Sequence, residues 1–220
     1  MAIIYYWLEL STKIYDLSRL LKLIAPMVPA TFKRFTLDEY HLLAELGFLG
    51  EDDRVELIYG QIVEMTAKGT SHEVCITRLL RELPKLIGDR ATLRCQSPLV
   101  LPIDSEPEPD FTIVQNRADD YLSFHPKPAD TLLVIEISDS SLSYDQDVKL
   151  PLYAEAGISD YWIFNLIENQ LEVYSEPYQD LQHKFGYSTK RIILPSKAIA
   201  LPYFPDLLLD LSKVFPGVEG

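Results

Sequence analysis

Apolar residues along this chain change their period several times, and each change marks an element. "FTLDEYHLLAELG" has helical spacing, with Thr36 as N-cap, acids in the first turn and Gly47 as the stop. "RVELIYGQIVEM" alternates instead and predicts a hairpin: Val55 to Ile58, a turn at Tyr59-Gly60, then Gln61 to Met65. In "SHEVCITRLLRELPKLIG" the residues Val74, Ile76, Leu79, Leu80 and Leu83 return to helical spacing. "TLRCQSPLVL" predicts a strand kinked or bulged near Pro98, and Phe111 to Val114 a second short strand. Residues 115–130 are polar and proline-bearing, which predicts a loop with room for a short helix.

Thr131 to Ser138 is apolar on both faces except at Glu136, the pattern of a central strand. Ser143 is placed to cap the next helix, with Gln146 at the reciprocal capping-box position. That helix stops at Gly157, and Pro151 inside it predicts a kink. "DYWIFNL" and "QLEVYSE" make a hairpin around Glu168-Asn169, and Tyr187 to Phe215 predicts one or two further strands and a short closing helix. The pattern as a whole is α/β or mixed α+β: a central mixed sheet flanked by helices.

The chain has 220 residues, 47% apolar and 24% charged, which suits one domain with a real core and excludes disorder over most of its length. Residues 1–30 read as an extension ahead of a single domain over 31–220. Leu17 to Ile24 has the pattern of a short amphipathic helix, and Met27 is a natural alternative start. The first residues lack the basic start and small-residue cleavage site of a signal peptide, and no apolar run reaches the length of a bilayer span. A cytoplasmic protein with no membrane partner is therefore expected. Cys75 and Cys95 have no metal-ligand spacing; they can form one disulfide, but a reduced pair fits such a compartment better. The net charge of -13 argues against nucleic-acid binding by the surface at large, while leaving room for a local basic groove or a carboxylate-held metal.

Three charges carry the candidate chemistry: Asp110 after Pro109, Glu136 within "TLLVIEIS", and Lys149 in "YDQDVKLPLY". A lone carboxylate in an apolar strand is costly unless a cation or donors satisfy it. For Glu136 that need is met either by a structural partner such as an arginine or by a functional site. Taken singly, Asp110 reads equally as a solvated turn acid and Lys149 as a solvated helix lysine. Glu56, alternating with apolar Val55 and Leu57, faces solvent by default, and His72 reads as a histidine at a helix start. Together, two strand carboxylates can share a Mg²⁺ whose other positions take water and a phosphate oxygen, and a lysine can orient or deprotonate that water. No G-x-S-x-G, P-loop or dinucleotide glycine motif supports another hydrolase or a nucleotide-binding enzyme.

The combination of "ELIYGQIVEM", "EPD", "VIEIS", "DQDVKLPLYAEAG" and "DYWIF" resembles the bacterial Uma-two family of restriction-endonuclease-like proteins with the PD-(D/E)xK fold, over roughly residues 35 to 177. The resemblance implies metal-dependent cleavage of nucleic acid, DNA in the first place, with Mg²⁺ or Mn²⁺ as cofactor. It places the Pro-Asp element on Pro109 and Asp110, the second acid on Glu136 and an early glutamate on Glu56, these three acids being the implied metal ligands. Two residues after Glu136 stands Ser138 where the motif has its lysine, and the implied lysine is Lys149 on the next helix. Ser138 and Gln96 are implied donors behind the ligands, His72 a contact to substrate or metal-bound water, and Asp145 a residue that orients Lys149 or caps its helix. Family habit implies a homodimer. The competing reading is a nuclease-fold protein that binds without cutting.

Overall fold

A computed structural model describes residues 32–50 and 53–217. The expected extension, with its helix and alternative start, lies outside these residues. Contacts divide the chain between Lys33 and Arg34, and the description below concerns the second unit.

Helix α1 spans Leu37–Glu45 and opens on a reciprocal cap between Thr36 and Glu39. Strands β1 (Val55–Ile58) and β2 (Gln61–Glu64) pair antiparallel. Their turn residues Tyr59 and Gly60 both have positive φ, the conformation a tight hairpin requires. A side chain at Gly60 would stand 2.8 Å from the Phe35 carbonyl oxygen, so glycine is needed there twice over.

Helix α2 (Thr70–Ile87) buries Cys75, Ile76, Leu79, Leu83 and Ile87, a stripe at helical spacing. Each such Leu or Ile removed from water contributes roughly 1.5–3 kcal/mol. Val74 and Leu80, expected on that stripe, are exposed because they point away from the sheet.

The central sheet has six strands in chain order: β3 (Thr92–Cys95), β4 (Phe111–Val114), β5 (Thr131–Ser138), β6 (Asp160–Asn165), β7 (Gln170–Gln179) and β8 (Phe185–Ile193). Only β5 and β6 run parallel, so the sheet is mixed as expected. Strand β3 ends at Cys95, ahead of Pro98, since Gln96 already takes a positive φ. The C-terminal stretch holds three strands rather than one or two. After β8 come β9 (Ala198–Leu201) and β10 (Phe204–Asp210) as a separate hairpin, then a 3₁₀ turn at Leu211–Lys213.

The helix after β5, here α3, has three joined parts: Leu142–Tyr144, a π turn Asp145–Lys149 and Leu150–Glu155. The Leu150 N–H donates to the Asp145 carbonyl, five residues back. Pro151 has no N–H to donate and its ring crowds the turn before it, and the chain widens at that point. The Ser143–Gln146 capping box does not form. The helix starts one residue after Ser141, placing Ser143 inside it, and Gln146 instead donates to Glu172.

Alternate strand residues divide two cores. Ile135, Ile137, Trp162 and Phe164 pack with α2 and the β9–β10 hairpin. Val134, Tyr161 and Ile163 pack with Leu152 and Tyr153 of α3. Glu136 lies on this second face, beneath α3.

Candidate active site

Asp110 stands one residue before β4. The register that pairs Phe111 with Ile135, continued by one step, sets Asp110 opposite Glu136. The Asp110 N–H donates to Glu136 Oε2 at 3.3 Å, and the Ile137 N–H donates to Asp110 Oδ2 at 2.9 Å. Each carboxylate is thus held by a backbone N–H of the adjacent strand segment.

The π turn brings Lys149 down onto them. Its Nζ donates to Glu136 Oε1 at 3.0 Å and lies 3.2 Å from Glu56 Oε2. The lysine therefore reaches Glu136 from the following helix. Glu56 is 2% exposed, against the solvent-facing default of its strand pattern, because β1 packs its polar side onto the cleft. Tyr153 Oη donates to Glu136 Oε1 at 2.9 Å, and Tyr144 Oη to Glu56 Oε1 at 3.2 Å.

His72 does more than open a helix. It is buried, and its Nε2 donates to Asp110 Oδ2 at 3.0 Å. Asp145 neither bonds Lys149 nor caps the helix. It accepts the Ser138 and Ser141 hydroxyls, each at 2.7 Å, so Ser138 supports Asp145 rather than the paired carboxylates. Gln96 lines the cleft and holds Asp110 through its backbone N–H, which donates to the Asp110 carbonyl at 3.1 Å.

The electrostatics follow from this placement. Burial pushes the Asp110 carboxyl up, but the His72 hydrogen bond and charge, the Ile137 N–H and Lys68 outweigh it and hold it below its ordinary range. Burial pushes Glu136 up and Lys149 opposes the rise; Asp145, Asp110 and Glu56 add to it, and the net shift is upward. Burial alone would lower Lys149, yet Glu136, Glu56 and Asp145 hold it well above its ordinary value, as a cation. The cleft around these groups is about 400 Å³, and eight of its lining residues are Asp or Glu against three Lys or Arg. A site so rich in acids favours gaining a cation.

The donor set suits a hard divalent ion. Asp110 and Glu136 offer oxygen ligands from adjacent strands, as Mg²⁺ prefers. Among the described residues no group of three or more His, Cys, Asp or Glu closes into a cage, so an ion held by these two acids would need water or substrate oxygens for its other positions.

The model of the Uma2 family, described as "Putative restriction endonuclease", matches residues 37–212. The chain belongs to this family. A protein titled a "putative nuclease belonging to DUF820" from Anabaena variabilis ATCC 29413 has a crystal structure of the same fold. It has a TM-score of 0.63 at 17% identity, covering 82% of this chain and 97% of that one. No curated protein matches the chain.

In this Uma2 chain, sequence reasoning missed four residues of the site. Tyr153 follows Lys149 by four positions, a spacing that puts the two on one helix face. Tyr144, across the π turn, offers no such regularity. Glu108 donates its N–H to Glu56 Oε2 at 3.2 Å and could have been suspected from "EPEPD". Lys68, 3.4 Å from Asp110 Oδ1, stands in "TAKGTSH" with nothing local to set it apart from a solvated lysine.

Proposed function

We propose that this protein is a divalent-metal-dependent nuclease that hydrolyses phosphodiester bonds of DNA. The observation that carries the reading is the meeting of Asp110, Glu136, Glu56 and Lys149 from four separate elements at hydrogen-bond distances in one cleft. Membership of a family whose description reads "Putative restriction endonuclease" supports it.

Asp110 and Glu136 are the residues that would hold Mg²⁺ or Mn²⁺, with Glu56 behind Lys149. Such an ion, when bound, supplies positive charge to the phosphate and lowers the pKa of a bound water. The chain's own groups do the rest. Lys149 retains its proton, so it orients the attacking water or meets charge developing on phosphorus and does not act as the base. Tyr153 and Tyr144 fix the carboxylate rotamers by donating to Glu136 and Glu56. The Ile137 N–H and His72 set the orientation of Asp110.

The test is Mg²⁺ binding by calorimetry and cleavage of DNA and RNA, on the parent and on Asp110→Ala. Metal binding and DNA cleavage by the parent, both lost in the variant, are expected. A parent that neither binds Mg²⁺ nor cleaves would favour a protein of this fold that binds without cutting, a reading the acidic cleft also accommodates.

A further inference from the structure

The hydrogen bonds of the cleft leave one question: which group receives the substrate's phosphate. Lys149 is committed to two buried carboxylates, and leaving them would take from both the cation they share. Lys68 is placed differently. It lies on the segment between β2 and α2, its side chain is 16% exposed, and it lines the cleft. Its Nζ is 3.4 Å from Asp110 Oδ1, a looser contact than the Lys149 pairs. Asp110 Oδ2 is already engaged by His72 and the Ile137 N–H. Among the described residues, Oδ1 is met by Lys68 alone.

We infer that Lys68 neutralises Asp110 when no metal is bound, and moves to the substrate phosphate when a divalent ion takes its place. This inference rests on the nuclease reading above. An ammonium and a divalent ion at one carboxylate repel, so metal entry drives Lys68 off Oδ1. The four-carbon stem gives it reach, and the cleft next to it is where a polyanion must enter. The metal thereby frees the cation that the otherwise acidic cleft needs for binding nucleic acid. One consequence runs against the usual effect of a mutation: removing Lys68 strengthens metal binding while weakening nucleic-acid binding.

The experiment uses the full chain as parent, Lys68→Met and Lys68→Arg. These variants remove or keep the charge at similar length. Mg²⁺ affinity is measured by calorimetry without nucleic acid. Binding of a labelled DNA duplex is followed against salt in Ca²⁺, an ion that takes oxygen ligands of the same kind. Lys68→Met is expected to bind Mg²⁺ roughly three- to tenfold more tightly, having lost a competing cation. Its DNA affinity falls, and its log–log salt slope becomes shallower by about 1, the loss of one phosphate contact. Lys68→Arg stays near the parent in both. If the parent binds both ligands but Lys68→Met matches it in either measure, the role of Lys68 is overturned and the nuclease reading stands. If Lys68→Arg behaves like Lys68→Met, the effect is one of packing and the inference also fails. A parent that lacks either ligand removes both readings.

Discussion

Glu136 and Glu172 stand on one face of the central sheet and are 4% and 1% exposed. Ile163 of β6 pairs with both and separates them. The helix above, α3, touches both: Lys149 donates to Glu136 and Gln146 donates to Glu172. Yet burial wins at one and loses at the other. At Glu172 burial pushes the carboxyl up, but donors from Lys190, Tyr174, Asn165 and Gln146 outweigh it and pull the group to about 2. At Glu136 burial is reinforced by three neighbouring acids, and the carboxyl stays raised despite Lys149. A buried glutamate surrounded by donors is a finished structural unit. One surrounded by other carboxylates is short of positive charge, and that shortage marks the candidate site.

Isosteric neutralisation of each glutamate separates the two units most sharply. Glu136→Gln is expected to lower cleavage by roughly 10³-fold, the scale of losing a charge that acts on the transition state. It should leave the melting temperature unchanged or higher, since one repelling charge is gone. Glu172→Gln should do the reverse: cleavage stays close to the parent, while stability falls by about 1–3 kcal/mol as buried donors lose an ionised partner. Initial rates and denaturant titrations on both variants check this. Cleavage lost with Glu172 and kept without Glu136 would reverse the comparison.

Acid and base should act on the two units in opposite directions. Both start from an ordinary glutamate value of 4.5. The folded value of Glu172 is lowered, so its stabilisation is present above that range and is lost as pH falls toward about 2. The folded value of Glu136 is raised, so its contribution is full below the ordinary range and declines as pH rises above it, by at most about 1.4 kcal/mol per unit. Stability measured against pH should therefore lose part of its decline above the ordinary glutamate range in Glu136→Gln, and part of its low-pH decline in Glu172→Gln, since Asp110 is lowered as well. Added Mg²⁺ should also reduce this decline in the parent, and an unchanged profile in Glu136→Gln would remove this account of the site.

"VIEIS" and "QLEVYS" look alike as text, and the difference between their glutamates lies in what arrives from elsewhere. Long periodic segments were legible: α1 with its cap, the Val55–Glu64 hairpin, the central strand and the β6–β7 hairpin all follow from local pattern. So was the run of acids, because a carboxylate inside an apolar strand needs a partner wherever that partner lies. Less legible were groups whose role depends on long-range packing. Glu56 alternates like a solvent-facing residue and is buried by the cleft. Lys68 lies 42 residues from Asp110 in the chain and finds it only once α2 docks. The π turn was hidden too. Pro151 announced a disturbance in the helix, but a kink and a widened turn have the same sequence signature.

That turn joins the two glutamates, and it supplies the mildest test. Gln146 and Lys149 both lie in it, one anchored at Glu172 and the other at Glu136. The Gln146 Nε2 donates to Glu172 Oε2 at 2.9 Å. Gln146→Ala removes that bond and leaves Glu172 with Lys190, Tyr174 and Asn165, so the stability cost should be only about 0.5–1.5 kcal/mol. If the anchor at Glu172 sets the position of Lys149, cleavage should also fall a few-fold, through kcat rather than KM, because the lysine contributes to the chemical step and not to initial binding. A stability loss with unchanged kcat would mean that Glu56 and Glu136 hold Lys149 without help. The two buried glutamates would then be neighbours under one helix with no mechanical connection between them.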